Sequence, residues 1–374
     1  MTLYFLQQYW WVLVSLLGAI LVFLMFVQGG QTLMYGIAEN DEEKRYLLKL
    51  YGHKWELTFT TLVTFGGAAF ASFPLFYSTS FGGAYWLWLL ILFLFVLQAV
   101  SYEFRGHDNN LLGKKTYDFF LFINGLLGTL FIGVAVATLF TGGAYVMDKS
   151  NISSFSNPIV SVWTNGWMGL DSFVSPFNIL LGFVVLFAAR TLGILYAIAN
   201  LSTQMAQQMP HFAGRLKKRL IISGTLFVVL FVAFLVALAL MNGYAVDSLS
   251  GTITEVKYKY FLNFTELGWP VLMLAGGVIC VLAGLLSAVM GFFGSRNESS
   301  FWITGFGVVL AVWSILISAA LNNTAFFPST VDPQCSLTLY NSSSSLFTLK
   351  TMFYVSLLIP FVIWYIAAMW RKLR

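Results

Sequence analysis

Residues 221–241 read IISGTLFVVLFVAFLVALALM, and this stretch contains no charged side chain. The hydrocarbon core of a bilayer is about 30 Å thick, and an α-helix needs about 20 mostly apolar residues to cross it. The stretch therefore predicts a membrane-spanning helix. Lys217, Lys218 and Arg219 lie directly before it, and such clusters of cations usually flank the cytoplasmic end of a span.

Eight further stretches of the same character lie on both sides of this one. The nine predicted spans cover residues 11–27, 57–77, 85–100, 119–140, 179–198, 221–241, 271–292, 303–321 and 352–369. We therefore expect an all-α integral membrane protein with about nine transmembrane helices in one polytopic domain, 1–374. The order of the helices also allows two four-helix groups, about 9–140 and 176–321, with a ninth helix at about 350–370.

The composition agrees with a membrane protein rather than a soluble enzyme. Hydrophobic residues make up 59% of the chain and charged residues only 9%, whereas a soluble domain has about 25% charged residues. The net charge of +5 is scattered along the chain. No basic stripe with interleaved aromatic residues appears, which argues against nucleic-acid binding.

The distribution of Lys and Arg predicts the topology. Of the 20 such residues, 15 fall in the loops after spans one, three, five and seven or at the C-terminus, and Arg296 is one of them. Four fall on the opposite side. The positive-inside rule then places the N-terminus outside and the C-terminus in the cytoplasm, which an odd number of spans requires.

The histidines argue against a haem or metal site within this chain. His53, His107 and His211 all fall in predicted cytoplasmic loops or at helix ends. A bis-histidine haem needs imidazoles that project into a helix bundle. We therefore expect no haem and no metal ion to be ligated by this chain.

Polar side chains within the predicted spans are candidates for function, because they are costly in a bilayer. Gln28 and Gln31 are three residues apart near the inner end of span one, hence on one helix face. The simpler interpretation is a hydrogen bond between helices. Arg190 lies within span five, where it would either reach the cytoplasmic surface or neutralise a buried carboxylate.

Three charged residues lie at the predicted cytoplasmic edge. Glu56 begins span two, and Glu103 and Arg105 end span three. A partly buried carboxylate there would accept and release protons near neutral pH. The alternatives are a carboxylate that stabilises a helix N-terminus and an interfacial ion pair between Glu103 and Arg105.

Several motifs along the chain match those of one known family. They are, in order, Trp10-Trp11, Trp55-Glu56, GGAAFASFP at 66–74, YEFR at 102–105, Pro176-Phe177, FPS at 327–329 and SLTL at 336–339. In these elements, in length and in predicted topology, the chain resembles subunit II of the cytochrome bd-type quinol oxidases. The resemblance covers essentially the whole chain.

The chain departs from the family pattern in the polar elements. Where the family often has Asp-Gly-Phe-Asp, this chain has Gln28-Gly29-Gly30-Gln31, so both acids are amides. The family's Arg-Pro-Val is Gln98-Ala99-Val100 here, and Ser175 replaces the Asn of Asn-Pro-Phe. These changes indicate a divergent branch of the family.

The resemblance implies a respiratory complex of the bacterial or archaeal cytoplasmic membrane, an electrogenic quinol:oxygen oxidoreductase that reduces dioxygen to water. A partner, subunit I, would carry haems b and d and the site of quinol oxidation. Subunit II would ligate no haem, would support subunit I and would contribute proton or oxygen routes, with Glu56 at the proton entrance. A structural quinone and small accessory subunits are further expectations.

A secondary transporter or permease for a neutral substrate is the alternative that composition and span number allow equally. Transporters bind their substrates near the membrane midplane, where broken helices or paired charges are typical. The midplane of this chain is nearly free of charge, which disfavours an ion-coupled carrier. A purely structural assembly subunit is a third interpretation.

Overall fold

The computed structural model describes residues 1–107, 109–153, 159–201, 208–247, 250–291 and 298–372. Arg296, and the last residue of the predicted span 271–292, lie outside these residues. The described chain is an all-α membrane protein, as predicted. Its α-helices are α1 Leu3–Leu24, α2 Phe26–Gln31, α3 Asp41–Gly52, α4 Trp55–Ser72, α5 Pro74–Tyr77, α6 Tyr85–Phe104, α7 Lys114–Ile123, α8 Thr129–Thr141, α9 Pro176–Asn200, α10 Pro210–Leu240, α11 Lys259–Leu267, α12 Trp269–Met290, α13 Glu298–Ala320, α14 Leu339–Ser342, α15 Leu346–Ser356 and α16 Ile359–Lys372.

Within the described residues, eight helical segments are long and apolar enough to cross a membrane. They correspond to every predicted span except 57–77. That span forms α4, whose 18 residues include Glu56 and several threonines, so it is less apolar than the others. The count of nine crossings stays a prediction, as does the orientation of the termini.

Short elements interrupt several predicted spans. Pro74 separates α4 from α5, because proline has no amide hydrogen to donate within a helix, and a π-helical turn, Ser78–Gly82, then leads into α6. A second π-helical turn, Asn124–Gly128, joins α7 to α8, and a 3₁₀ turn, Thr32–Met34, follows α2. The predicted ninth span is two helices, α15 and α16.

Charged loops meet at one end of the bundle, which we call the cation-rich end. Asp118 at the start of α7 forms ion pairs with both Lys44 of α3 and Arg105 after α6. Glu43 of α3 pairs with Arg215 of α10 at 2.7 Å. The loops after predicted spans one, three and five are therefore neighbours, which is the arrangement that the charge distribution predicts.

Three two-stranded antiparallel hairpins form the opposite end, which we call the hairpin end. The strands are β1 Tyr145–Met147, β2 Ser161–Trp163, β3 Gly243–Val246, β4 Ile253–Val256, β5 Ala325–Phe327 and β6 Leu337–Thr338, paired in sequence order. Hydrogen bonds connect the hairpins, such as Gly143 N to Pro328 O and Val246 N to Asn323 O.

Helix α4 runs from one end of the bundle to the other. At its start Trp55 stacks on Tyr102, near the end of α6, with ring centroids 6.1 Å apart. At its end the carbonyl of Ser72 accepts a hydrogen bond from the amide of Ser344, beside the hairpin end. This path supports the prediction that α4, the predicted second span, also crosses the membrane, which would bring the number of crossings to nine.

Candidate functional site: a buried amide cluster and an adjoining cleft

Four side-chain amides meet in the interior of the bundle. The Oε1 atom of Gln98 in α6 accepts hydrogen bonds from Gln28 Nε2 at 2.7 Å, Gln31 Nε2 at 2.8 Å and Asn124 Nδ2 at 2.6 Å. Asn124 also donates to Gln31 Oε1 at 2.8 Å. All four residues are buried. We call this group the amide cluster, and it connects α2, α6 and the π-helical turn before α8.

Local sequence brings these side chains together. Gln28 and Gln31 share one face of α2, because residues three apart on a helix are neighbours. Gly125 follows Asn124 in the π-helical turn, and a Cβ atom at Gly125 would lie 2.5 Å from the backbone oxygen of Gln28. Only glycine therefore allows the turn to approach α2 closely enough for Asn124 to reach Gln31 and Gln98.

The amide cluster is uncharged, and three of its polar atoms remain available. Gln28 Oε1, Gln98 Nε2 and Asn124 Oδ1 have no hydrogen-bond partner among the described residues. A buried polar atom without a partner costs about 1–3 kcal/mol, so these atoms favour ordered water. The cluster itself carries no group that titrates near neutral pH.

Tyr102 joins the amide cluster to a cleft at the cation-rich end. Gln31 Nε2 donates to the Tyr102 hydroxyl at 3.2 Å. Tyr102 also lines a cleft of about 400 Å³, together with Lys49, His53, Glu103 and Arg105. A continuous row of polar groups therefore leads from the surface to the interior of the bundle.

Glu103 and Arg105 both line this cleft, but the described part of the chain has no ion pair between them. Arg105 binds Asp118 with both ends of its guanidinium, at 2.5 and 3.2 Å. Glu103 is exposed. The predicted pairing fails because residues two apart on a helix do not face each other, and the carboxylate that Arg105 meets belongs to the next helix.

Glu56 lies on the first turn of α4, as predicted, but it is exposed rather than partly buried. It follows Trp55, which lines the cleft, and is not itself among the residues of the cleft. The first turn of a helix stabilises a carboxylate through the helix dipole. The position is therefore compatible with both of the roles that the sequence suggested.

Arg190 binds Thr32 rather than a carboxylate. Its Nη1 donates to the hydroxyl of Thr32 at 2.6 Å and to the carbonyl oxygen of Thr32 at 3.2 Å. Gly29 allows this contact, because a Cβ atom there would lie 1.8 Å from the Ala189 oxygen. Within the described ranges no acidic side chain pairs with Arg190, so the second of its two predicted alternatives, neutralisation of a buried carboxylate, is not found.

Sequence reasoning missed three of the polar residues at this site, Gln98, Asn124 and Asp118, and Gln98 was noted only as a departure from the family pattern. Asn124 lies within the predicted span 119–140, so the rule that singled out Gln28 and Gln31 would have identified it as well. Asp118 lies one residue before that span and is buried. Its pairing with Lys44 and Arg105 depends on the packing of three segments, which no local pattern in the sequence reports.

A separate cavity of about 160 Å³ lies between α1, α8, α9, α10, α12 and α13. Hydrophobic side chains line it throughout, among them Val22, Phe140, Val185, Phe231 and Val281. Such a cavity offers no hydrogen bond. It fits a hydrocarbon chain or a small apolar molecule.

Comparison with known proteins identifies the family. The family model described as cytochrome bd terminal oxidase subunit II matches residues 6–373. The cytochrome bd ubiquinol oxidase subunit 2 of Bacillus subtilis is 29% identical, over 96% of this chain and 93% of that protein. The probable cytochrome oxidase subunit 2 of Haemophilus influenzae is 27% identical, over 99% and 95%.

The fold comparison agrees with the sequence match. A chain of the bd oxidase from Geobacillus thermodenitrificans has a TM-score of 0.61 to this one, at 13% identity, and the likeness covers 97% of each chain. The match to the family model extends over nearly the whole length, and the fold is the all-α membrane bundle that the sequence predicted. The chain therefore belongs to the cytochrome bd terminal oxidase subunit II family.

Proposed function

We propose that this chain acts as the haem-free subunit of a bacterial quinol:oxygen oxidoreductase, and that haems b and d and the quinol-oxidation site lie in a partner, subunit I. The match of residues 6–373 to the subunit II family carries this proposal. No relative supports the transporter alternative: the proteins found are oxidase subunits.

The histidines of this chain do not fit a haem. His53, His107 and His211 are all exposed, whereas axial ligands must project into the bundle. No group of three potential metal-ligating side chains occurs in the described residues. The chemistry of oxygen reduction would therefore come from the haems of subunit I. This chain would stabilise subunit I without ligating a haem.

Protons for oxygen reduction would enter this chain through the cleft at the cation-rich end, which we take to be cytoplasmic. Glu103 lines the cleft, and its carboxylate can accept a proton from water and release it again. Glu56 directly follows Trp55, a residue that lines the cleft. Uptake of protons from this side, with the electrons of quinol and with release of the quinol protons on the opposite side, would make the reaction electrogenic.

The amide cluster would hold the helices together and bind water, rather than transfer protons through its own side chains. Amides do not titrate near neutral pH, and Gln98 already accepts three hydrogen bonds. Arg105 would hold α6 against α7 through Asp118 and keep the mouth of the cleft in position.

Exposed apolar side chains and the apolar cavity are available for contacts with the other expected partners. Leu89, Phe93 and Val96 on α6, and Val63 and Phe70 on α4, are exposed large hydrophobic side chains. We propose this face for the contact with subunit I, with lipid and small accessory subunits on other faces. A structural quinone bound in this chain would place its isoprenoid tail in the apolar cavity, whose lining suits a hydrocarbon.

Glu103→Gln tests the proton role of the cleft. The change keeps the shape of the side chain and removes its titratable group, so quinol oxidase turnover of the purified complex should fall several-fold at normal haem content. The control is Glu42→Gln, at an exposed acid of α3 that does not line the cleft. Equal turnover of the two variants from pH 6 to pH 9 would contradict the proposal.

A further inference from the structure

A basic pocket, separate from the cleft beside Glu103, lies between α9 and α10. Neither the oxidase chemistry nor the amide cluster accounts for it. Its volume is about 290 Å³. Arg190, Arg219 and Ser223 line it, together with hydrophobic side chains that include Phe187, Ile222 and Leu226. The lining therefore has a cationic part and a hydrocarbon part.

Arg190 differs from the other partly buried arginines of the described chain. Arg105 binds Asp118, and Arg215 binds Glu43. Among the described residues, the Arg190 side chain donates hydrogen bonds only to the hydroxyl and carbonyl oxygens of Thr32. A guanidinium within a membrane helix is costly unless a counter-charge accompanies it, and the described residues provide none.

Arg219 adds a second positive charge to the same pocket. Both residues line the same pocket, so their like charges repel each other. No ion pair of Arg219 occurs among the residues that the structure describes. Two like charges in one pocket, without an acid, favour a bound anion, and guanidinium groups are well suited to phosphate.

Arg219 lies two residues before the predicted span 221–241, at the edge of the bilayer core where lipid phosphates lie, and Arg190 lies deeper, within the predicted span 179–198. Arg190 is ten residues before the end of α9, and Arg219 is nine residues after the start of α10. At 1.5 Å per residue each lies roughly 15 Å from the end of its helix. Both helix ends belong to the cation-rich end, where Arg215 pairs with Glu43 of α3.

The hydrocarbon part of the pocket is exposed at the outer surface of the helix bundle. Ile222 and Leu226 are 42% and 39% exposed. Along α10 they follow Arg219 in the direction of the hairpin end. An acyl chain that leaves a phosphate at Arg190 and Arg219 can pack along these side chains. A free phosphate ion would make no use of this surface.

We propose that the pocket binds one anionic phospholipid of the leaflet at the cation-rich end, with its phosphate held between Arg190 and Arg219. Basic pockets between membrane helices are a known mode of lipid headgroup binding. This proposal rests on the membrane fold and is independent of the proton role of Glu103 and Glu56.

Native mass spectrometry of the intact oxidase complex tests the proposal. The delipidated complex is titrated with phosphatidylglycerol, with phosphatidylcholine or with inorganic phosphate. We expect one phosphatidylglycerol to bind at least several-fold more tightly than phosphatidylcholine, and Arg190→Gln and Arg219→Gln each to weaken that binding several-fold. Inorganic phosphate at millimolar concentration should not displace the lipid.

The control variant is Lys217→Gln with Lys218→Gln. Both lysines are exposed on α10 and neither lines the pocket, so this variant removes two positive charges without touching the site. Equal weakening in this control, or no change in the arginine variants, would overturn the proposal. Displacement by inorganic phosphate would assign the site to a free anion instead. Because Arg219 is exposed, its variant provides the test even if the Arg190 variant does not assemble.

Discussion

Gln98 is the residue on which the polar interior of the bundle converges. One oxygen atom accepts hydrogen bonds from three side chains on two other elements. In a membrane, where water cannot replace a lost partner at low cost, polar contacts between helices fix their positions. The replacement of the family's acids by Gln28 and Gln31 is thus matched by a neutral acceptor at Gln98.

Gln98→Leu should destabilise the complex. The change roughly preserves volume but removes the shared acceptor. Gln28 Nε2 then has no partner among the described residues, which costs about 1–3 kcal/mol, while Gln31 and Asn124 each keep one other hydrogen bond. The melting temperature of the purified complex should fall by several degrees. Gln8→Leu is the matched control, because Gln8 makes no side-chain hydrogen bond within the described part of the chain. Equal melting temperatures for the two variants would show that the amide cluster does not hold the helices.

Glu56→Gln tests the second candidate for proton entry. If Glu56 takes up protons, turnover should fall several-fold while the haem content stays normal, because the amide cannot titrate. If it only stabilises the start of α4, the loss is about 0.3–1 kcal/mol of helix stability and turnover stays the same. Turnover that matches the unaltered complex across a pH series would leave Glu56 as a helix-start residue.

At the scale of helices, glycine decides which pairs pack closely. Gly277 of α12 faces α13, and a Cβ atom at Gly277 would lie 2.7 Å from the Ala311 nitrogen and 2.8 Å from the Gly307 oxygen. The neighbouring Gly276 has no atom within 4 Å of such a Cβ position, and the same is true of Gly67 in α4. Close packing is the usual role of glycine in a membrane helix, but within this chain it applies to Gly277 and not to Gly276 or Gly67.

Gly277→Val should therefore impair folding far more than Gly276→Val. Both changes place the same side chain in the same helix, one residue apart, so they share the cost of helix propensity. We expect a strong loss of assembled complex for Gly277→Val, measured by size-exclusion chromatography, and near-normal yield for Gly276→Val. The reverse order would mean that the α12–α13 contact is not as described.

The sequence predicts the position of most helices but not their interruptions. Apolar stretches report the membrane core directly, so eight of the nine predicted spans correspond to apolar helices. The π-helical turn at Asn124–Gly128 leaves no such trace, because an apolar stretch reports where a helix lies and not which backbone hydrogen bonds it forms. The sequence therefore marks Asn124 as a polar residue within a span, but it does not predict how the turn positions this side chain.

The whole molecule has two differently built ends. At the cation-rich end, ion pairs of Asp118 and Glu43 connect three loops. At the hairpin end, short strands and backbone hydrogen bonds connect the loops. The charge distribution predicts which loops share an end, but the pairing partners depend on helix packing, as the pairing of Arg105 with Asp118 rather than Glu103 illustrates.

The central claim is that this chain is the haem-free subunit of a quinol oxidase. The most direct test is a visible spectrum of the protein purified by an affinity tag on this chain, with the composition of the preparation determined by mass spectrometry. We expect bands of haems b and d, and a larger second subunit that co-purifies and retains the haems when this chain is dissociated. A colourless preparation of this chain alone, from cells that make the oxidase, would contradict it.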